Sequence, residues 1–256
     1  MKELKSAKLP LSVVLISLNE QSNIMRAVQS VIGWADEVLV YDSGSTDQTC
    51  EIALKMGARV ERGEWKGFGP TKSLATALAR NAWVLSIDCD EEVSPALADE
   101  LKAKWAELDS SVAYRLPRLS YYLKRWIHYG GWYPDYQVRL FNRETAGWDQ
   151  SPIHEKVQGP SYKELVSHLN HYVFKNIEQQ VQTNNRYSTL QAIHMHNAGK
   201  RFSIFHFLTK PTVKFIECYF LKLGFLDGWA GYFIARSAAY SVLLKWSKLY
   251  ELERLS

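Results

Sequence analysis

Strand-like and helix-like segments alternate between Leu11 and Leu108, and this alternation constrains the fold more than any other feature of the chain. The first apolar run, residues 11–18, is nearly continuous, which is typical of a strand buried on both faces of a parallel sheet. Residues 84–87 form a similar run after three rounds of strand and helix. The order β-α-β-α-β-α-β-α predicts a doubly wound, mostly parallel α/β sheet.

The remaining residues change character twice. Residues 110–165 are rich in Tyr and Trp and show no helical period, which predicts additional strands and loops that complete a site. Helical spacing then returns from about Lys175, with two further helices predicted over residues 203–222 and 229–253. We therefore expect an α/β domain over residues 1–170 and a helical C-terminal region over residues 171–256.

The C-terminal region also differs in composition. From residue 200 onward it contains nine Lys and Arg against four Asp and Glu, and 13 of the chain's 33 aromatic residues. Charged residues interrupt it before any apolar run reaches the ~18 residues that a membrane-spanning helix needs. Aromatic and basic residues on interrupted amphipathic helices favour an anionic membrane surface. A helical lobe packed on the sheet, or a dimer contact, is the alternative interpretation.

Several classes of protein and site are disfavoured. The three cysteines, Cys50, Cys89 and Cys218, form no C-x-x-C pair, which argues against a structural zinc site or a disulfide framework. The N-terminal apolar run is too short for a secretory signal, so we expect a cytoplasmic protein. Residues 63–72 are rich in glycine but lack the Walker A pattern, which disfavours a P-loop NTPase. We expect no nucleic-acid partner, and the net charge is only +4.

Acidic and polar side chains follow the predicted strands. Asp88 and Asp90 come directly after a buried strand, and on an extended backbone their side chains would leave on the same side and address one ion. Asp42 follows the second strand, and Asn19 and Glu20 follow the first. Open α/β sheets bind ligands at this edge, and carboxylates there suit Mg²⁺ or Mn²⁺ bridging nucleotide phosphates. The alternatives are a solvated acidic loop and ordinary helix capping.

Two further positions carry candidate chemistry. Lys72 lies in the first turn of a predicted helix after Gly67 and Gly69, where it can balance phosphate charge, although a plain surface lysine fits equally well. Glu155 is a candidate general base and His154 a candidate metal or phosphate ligand. No second histidine completes a zinc-protease motif, and a surface dipeptide is the alternative.

Taken in order, these motifs resemble those of family 2 glycosyltransferases with the GT-A fold. The chain looks most like the bacterial lipopolysaccharide inner-core β-1,4-glucosyltransferase group, whose characteristic Gly-Phe-Leu-Asp-Gly-Trp stretch resembles residues 224–229. The other segments that carry the resemblance are residues 11–20, 40–47, 67–72, 88–91, 139–141 and 154–155.

The resemblance implies an inverting transfer of a hexose, glucose, from a UDP-sugar to a lipid-linked inner-core sugar at the cytoplasmic face of the inner membrane. It implies Mg²⁺ or Mn²⁺ as cofactor, with Asp90, Asp88 and His154 as ligands. Glu155 is the implied catalytic base, and Asp135 is the second candidate. The implied contacts to the nucleotide sugar come from Asn19, Glu20, Asp42, Lys72, Asp88 and Arg139.

Two rival classes share parts of this pattern. A sugar nucleotidyltransferase also binds a metal-bound nucleotide at an α/β crevice, but it requires a basic, glycine-rich signature near the N-terminus. Residues 11–23 contain no glycine. A non-catalytic sugar-nucleotide-binding protein or membrane adaptor would have a decayed site, and the intact acids Asp42, Asp88, Asp90 and Glu155 argue against decay.

Overall fold

The computed structural model of the protein describes residues 8–151 and 155–255. It divides into two compact units. The first consists of the residues up to Arg118 together with Asp135–His171, and the second consists of Leu119–Pro134 together with the residues from Tyr172 onward. Each unit has its own apolar core.

Strands and helices alternate at the start of the chain, as predicted. The strands are β1 (Leu9–Ser17), β2 (Ala35–Asp42), β3 (Arg59–Arg62), β4 (Trp83–Ser86), β5 (Glu91–Val93), β6 (Val112–Tyr122), β7 (Arg125–Ile127), β8 (Asp135–Asn142), β9 (Gly147–Trp148), β10 (Val157–Gln158), β11 (Ser161–Glu164) and β12 (Leu169–His171). The helices are α1 (Ile24–Gln29), α2 (Thr49–Lys55), α3 (Phe68–Ala77), α4 (Pro95–Lys104), α5 (Ile177–Asn197), α6 (Ile204–Ile216) and α7 (Gly228–Leu255).

The main sheet has the strand order β3-β2-β1-β4-β8-β6-β12-β5. Strands β3, β2, β1 and β4 are parallel, whereas β8 lies antiparallel to both β4 and β6. The parallel half is the predicted doubly wound α/β arrangement. The strands predicted over residues 110–165 are also confirmed, and they extend the sheet on the β4 side.

Local sequence explains where the helices of the first unit begin. Ser94 caps α4 by accepting a hydrogen bond from the Leu97 N–H at 3.2 Å, and Pro95 occupies the first helical position. Helix α3 begins at Phe68, directly after Gly67. Gly67, with φ of 94°, allows the chain to turn sharply into this helix, because glycine alone adopts that conformation without strain.

The core of the first unit lies on both faces of the parallel strands. Apolar side chains of β1 alternate between two clusters, with Leu11, Val13 and Leu15 in one and Val14 in the other. Burial on both faces accounts for the uninterrupted apolar runs in the sequence.

Helices dominate the second unit. Helices α5 and α6 both contact α7, and a π-helical turn at Glu217–Leu221 and a 3₁₀ turn at Gly224–Asp227 connect α6 to α7. Its core includes Tyr122 and Ile127 from the strands and Ala230 and Ile234 from α7. Over the described residues, no helix combines the length and the apolar character that crossing a bilayer requires.

Candidate active site

The ends of three neighbouring parallel strands place the predicted polar residues along one edge of the sheet. Strand β1 pairs with β2 on one side and with β4 on the other, and Ser17 at the end of β1 lies opposite Asp42 at the end of β2. Asn19 follows β1, and Asp88 follows β4. The predicted gathering of these residues at the carboxyl edge is therefore observed.

Asp42 organises the loop after β2. It is buried, and its carboxylate accepts hydrogen bonds from the Gly44 N–H at 3.1 Å, the Ser45 N–H at 2.8 Å, the Ser17 hydroxyl at 2.8 Å and the Ser45 hydroxyl at 2.5 Å. Burial alone raises the pKa of Asp42, but the bonds from Ser45 and Ser17 outweigh it and hold the pKa below its usual value. Two carboxylate oxygens offer about four acceptor positions, so a nucleobase N–H must displace one of these donors to bind here.

Asn19 and Glu20 tie the loop after β1 to the same region. Asn19 adopts a positive φ of 57°, and its side-chain oxygen accepts the Thr46 N–H at 2.9 Å. The Glu20 N–H donates to the Thr49 hydroxyl at 2.8 Å. Both residues thus support the loop that Asp42 organises.

The segment containing Asp88 and Asp90 is a tight turn. The Glu91 N–H donates to the Asp88 carbonyl at 3.0 Å, which closes the turn before β5 begins. Our expectation that both carboxylates leave an extended backbone on the same side differs from this geometry. Asp88 contacts Lys72 and Arg139, whereas Asp90 contacts His171.

Seven alternating charges connect the candidate residues in one ion-pair network. From one end it contains Glu155, Lys72, Asp88, Arg139, Glu91, Arg118 and Asp135. Both candidate bases, Glu155 and Asp135, therefore occur in it, one at each end. Four carboxylates and three cations leave one negative charge in excess.

The centre of this network is deeply buried. The Arg139 and Glu91 side chains are 4% and 0% exposed, and Arg139 Nη2 lies 2.6 Å from Glu91 Oε1 while also contacting Asp88. Burial raises the pKa of Asp88, but the charges of Arg139 and Lys72 outweigh it and hold the pKa far below its usual value. Burial opposes the charge of Arg139, yet Asp88 and Glu91 raise the pKa of its guanidinium. Asp88 and Arg139 are therefore both charged throughout the physiological pH range.

Asp135 sits in a different electrostatic setting from Glu155. Arg118 Nε donates to Asp135 Oδ2 at 2.9 Å, and the Gln137 amide donates to Oδ1 at 2.9 Å. Burial raises the pKa of Asp135, but the charge and hydrogen bonds of Arg118 outweigh it and lower the pKa. A carboxylate whose pKa is lowered accepts a proton less readily, so its partners make Asp135 a weaker base.

Lys72 and Glu155 meet where α3 packs against the loop that carries Glu155. Lys72 Nζ lies 2.8 Å from Glu155 Oε1, 2.9 Å from Asp88 Oδ1 and 4.7 Å from the centre of the Trp148 ring. The close approach depends on Gly69, because a Cβ there would lie 3.2 Å from the Glu155 Cβ and 2.5 Å from the Ser151 carbonyl oxygen. Of the two alternatives for Lys72, a plain surface lysine does not fit, since its side chain is 4% exposed.

A metal ion would find two converging ligand atoms beside this network. His171 Nε2 lies 3.5 Å from Asp90 Oδ2, and His171 Nδ1 is buried without a hydrogen-bond partner among the described residues. Pairing of β12 with β5 places His171 opposite Glu91. Two ligands of one Mg²⁺ or Mn²⁺ lie about 3 Å apart when each is about 2.1 Å from the ion, so the pair fits such a cation.

The structure gives less support to Asp88 and His154, the other two predicted metal ligands. Both oxygens of Asp88 already contact cations, Lys72 and Arg139. His154 lies outside the described residues. Within residues 8–151 and 155–255, no three His, Cys, Asp or Glu side chains are grouped so that they could hold a metal ion by themselves. Water or substrate oxygens would have to complete the coordination of an ion at Asp90 and His171.

Residues 12–207 match the family described as glycosyl transferase family 2. The chain belongs to this family. The resemblance inferred from the motifs is thereby confirmed, and the sheet with its C-terminal helices is the GT-A arrangement predicted for a family 2 enzyme.

Relatives of this glycosyltransferase include proteins of similar length. An uncharacterized glycosyltransferase of Rickettsia typhi is 32% identical, with 94% of this chain and 87% of that protein covered. The lipopolysaccharide core biosynthesis glycosyltransferase LpsC of Rhizobium meliloti is 29% identical, with 95% and 93% covered. A solved glucosyl-3-phosphoglycerate synthase from Mycobacterium tuberculosis, in complex with Mn²⁺ and UDP-glucose, is 28% identical with a TM-score of 0.36. That match covers 43% of each chain.

Sequence reasoning missed three members of the site. They are Glu91, Arg118 and His171, none of which is a candidate in the sequence analysis. The residues next to His171 in the sequence do not reveal its partner, because Asp90 contacts His171 only through the pairing of β5 with β12. The alternation of basic and acidic residues along adjacent strands is visible only once strand order is known.

Proposed function

We propose that this family 2 glycosyltransferase transfers a hexose, glucose, from a UDP-sugar to a lipopolysaccharide inner-core sugar with inversion at the anomeric carbon. The similarity to LpsC, which extends over 95% of this chain, supports lipopolysaccharide core synthesis as the pathway. Catalysis is assigned to the domain predicted over residues 1–170, and the helical region 171–256 is assigned to the membrane. The acceptor is lipid-linked, and the enzyme works at the cytoplasmic face of the inner membrane.

The observation that carries the proposal is the pair of buried cations held by one carboxylate. Lys72 and Arg139 both contact Asp88, directly after β4. A nucleoside diphosphate carries several negative charges, and cations fixed in a low-dielectric site stabilise such charge without reorganisation. Lys72 and Arg139 thus bind the diphosphate and stabilise it as it leaves, while Asp88 keeps them in position before the donor arrives.

The nucleoside occupies the edge built by the first two strands. Asp42 recognises the base after one of its loop donors swings away, and Asn19 and Glu20 hold the two loops in register. Support comes from their hydrogen bonds to Thr46 and Thr49, which tie the loop after β1 to the loop after β2.

Glu155 is the general base that removes the proton from the acceptor hydroxyl. Its competitor, Asp135, is held by Arg118 and Gln137 and has a lowered pKa, which weakens it as a proton acceptor. Glu155 instead has the single cation Lys72 beside it, at 2.8 Å. When the donor diphosphate engages Lys72, the Glu155 carboxylate loses its cation partner and becomes available to the acceptor hydroxyl.

Asp90 and His171 hold the divalent cation, with His154 and Asp88 kept as further candidates. A bound Mg²⁺ or Mn²⁺ would supply positive charge to the donor diphosphate as it departs. The excess negative charge of the network, together with Asp90, favours a divalent cation at this position.

The Glu155→Gln variant tests the base. We expect kcat to fall roughly 10²- to 10⁴-fold while UDP affinity stays within about threefold, because the amide cannot accept the proton. Turnover is measured as UDP release from a UDP-sugar in the presence of a core acceptor. Glu144→Gln, an exposed change of the same chemistry, serves as the control and should leave kcat unchanged. Full activity of Glu155→Gln would transfer the role to Asp135, and pyrophosphate release from UTP and sugar phosphate would indicate a nucleotidyltransferase instead.

The metal assignment is tested by UDP binding with and without Mn²⁺. Wild-type protein should bind UDP at least tenfold more tightly with Mn²⁺, and both Asp90→Asn and His171→Gln should abolish that gain. Asp99→Asn, whose side chain is 76% exposed, is the matched control. Calorimetry that finds the Mn²⁺ gain intact in His171→Gln would remove His171 from the ligand set.

A further inference from the structure

Helix α6 exposes its apolar face. The side chains of this face recur at helical spacing, and the helix contains no buried residue. They are Ile204, 61% exposed, Phe205, 68%, Leu208, 63%, Val213, 56%, and Ile216, 43%. The charged residues of the helix, Lys210 and Lys214, lie outside this run. An amphipathic helix in a soluble protein normally buries such a face, so the exposure needs an explanation.

The turn that joins α6 to α7 also presents large apolar side chains. Phe225, Leu226 and Trp229 are 43%, 49% and 68% exposed. The backbone beneath them is fixed, because the buried Asp227 carboxylate accepts the Tyr129 N–H at 2.8 Å. The turn is therefore held firmly while its apolar side chains face outward.

Glycines of the Gly-Phe-Leu-Asp-Gly-Trp stretch explain its compactness. A Cβ on Gly224 would lie 2.6 Å from the Cys218 carbonyl oxygen, so only glycine fits there. A Cβ on the nearby Gly231 would lie 1.8 Å from the Gly224 carbonyl oxygen. Gly228 adopts a φ of 59°, which favours glycine. The glycines and the aspartate of the stretch build the turn, and its Phe, Leu and Trp side chains are left for an external contact.

Aromatic rings connect the exposed turn to α6. Phe225 contacts Tyr219 at 6.2 Å between ring centres, and Trp229 contacts Tyr232 at 5.7 Å. Both tyrosines contact Phe215 of α6, at 5.2 and 6.0 Å. We call the exposed side chains of residues 204, 205, 208, 213, 216, 225, 226 and 229 the apolar surface.

Lys210 and Lys214 lie on α6, the helix that carries most of the apolar surface, and further lysines lie near them. The charges of Lys200, Lys214 and Lys210 all act on Lys245 of α7, and after burial they are the causes that lower the pKa of Lys245. Lys214 pairs with Glu217 at 3.0 Å, but Glu217 is shared with Lys222. In the described part of the chain, no acid lies within ion-pair distance of Lys200, Lys210 or Lys245.

We propose that the apolar surface inserts into the interface of a bilayer rich in anionic phospholipid, with the lysine cluster contacting the lipid phosphates. Apolar side chains beside unneutralised lysines match acyl chains beside phosphates. A second copy of the chain matches less well, because a two-fold contact through this surface would bring one lysine cluster towards the other. The inference builds on the lipid-linked acceptor of the proposed function, but its test is independent of turnover.

Flotation of the full chain with phospholipid vesicles tests the surface. Wild-type protein should float with vesicles containing phosphatidylglycerol and bind pure phosphatidylcholine vesicles at least about tenfold more weakly. The variant Leu208→Gln/Phe225→Gln/Trp229→Gln should lower partitioning at least about tenfold, because it removes apolar area that would enter the interface. The variant Lys210→Gln/Lys245→Gln should lower it roughly tenfold or more at low salt.

Matched controls carry the same chemistry on other surfaces. Leu54→Gln/Val166→Gln changes apolar residues that are 57% and 79% exposed, and it should float like wild type. Equal flotation of the wild type and the apolar variant, or no flotation of the wild type on anionic vesicles, would overturn the proposal. A wild-type dimer that the apolar variant converts to monomer, with flotation unchanged, would assign the surface to a second copy instead.

The two proposals fail separately. UDP release from the donor by slow hydrolysis needs no membrane, so it is measured for the same variants without vesicles. Vesicle binding without donor turnover would contradict the proposed reaction and leave the surface assignment standing. Donor turnover without vesicle binding would contradict the surface assignment and leave the proposed reaction standing.

Discussion

Replacing Glu91 by glutamine should destabilise the protein strongly, because this carboxylate lies at the centre of the ion-pair network. Its side chain is 0% exposed and accepts hydrogen bonds from Arg139 Nη2 at 2.6 Å, from Arg118 Nη1 at 3.2 Å and from the Asp88 N–H at 2.9 Å. Glutamine keeps the shape but loses the charge, and it turns either its oxygen or its NH₂ group towards the two guanidiniums.

The size of the effect follows from what remains after the change. Removing one partner of a buried ion pair costs about 3–5 kcal/mol, because it leaves the other charge buried without compensation. In Glu91→Gln, Arg139 still has its ion pair with Asp88, and Arg118 still has its ion pair with Asp135. We therefore expect a loss near the lower end, about 3 kcal/mol. With a urea m-value of about 2–3 kcal/mol/M, the midpoint should fall by about 1 M.

Urea unfolding followed by circular dichroism measures this loss, with Glu164→Gln as the matched control. Glu164 contacts Arg115 on the surface, where the two side chains are 45% and 47% exposed. Exposed pairs contribute about 0–1 kcal/mol, so the control should barely move the midpoint. Because the chain has two compact units, unfolding can show two transitions. The midpoints of the two variants are compared for the transition that Glu91→Gln shifts. Equal losses in the two variants, or a loss below about 1 kcal/mol for Glu91→Gln, would refute the reasoning from burial.

Two further substitutions test packing and charge elsewhere in the first unit. Gly69→Ala should lower kcat at least tenfold and the free energy of unfolding by about 1–3 kcal/mol, because the new Cβ would lie 2.5 Å from the Ser151 carbonyl oxygen and displace the loop that carries Glu155. Activity and melting assays measure both effects. Gly33→Ala is the control, since nothing lies within 4 Å of a Cβ at that position. Burial raises the pKa of Glu100, but hydrogen bonds from Lys104, Ser167 and Val166 outweigh it and lower the pKa from 4.5 to about 2. The ionised carboxylate therefore stabilises the fold above pH 4.5, and this stabilisation is lost as the pH falls towards 2. Glu100→Gln should therefore cost about 1–2 kcal/mol at pH 7, allowing for solvent screening, and the difference from wild type should vanish near pH 2 in urea titrations; a difference that persists at pH 2 would contradict the assignment.

The parts of the fold that could be predicted are those in which one local pattern has one structural solution. The apolar run containing Leu11 can satisfy its burial only between neighbouring strands, and β1 lies between β2 and β4. The start of α4 is also a local matter, because its cap comes from the adjacent residues Ser94 and Pro95. Local patterns also located Asp42 and Asp88 at strand ends.

Partners of the candidate residues could not be predicted in the same way. The prediction that Asp88 and Asp90 point to the same side assumes an extended backbone. In the structure, a turn closed by the Glu91 N–H separates their side chains. Lys72 meets Glu155 across 83 positions of sequence, and Arg139 meets Asp88 across 51. Such contacts depend on strand order and loop packing, which no short window of sequence encodes.

The network also determines where pH sensitivity in donor binding can arise. A carboxylate whose folded pKa is lowered contributes stability above its unfolded value, and this contribution is lost only as pH falls through the folded pKa. For Asp88 the folded pKa is far below the usual range, because Arg139 and Lys72 outweigh burial. Asp88 therefore remains ionised from mildly acidic to alkaline pH, and Arg139, whose pKa is raised by the charges of Asp88 and Glu91, stays charged beside it. A change in UDP affinity between pH 5.5 and 8 must therefore come from groups other than Asp88 and Arg139.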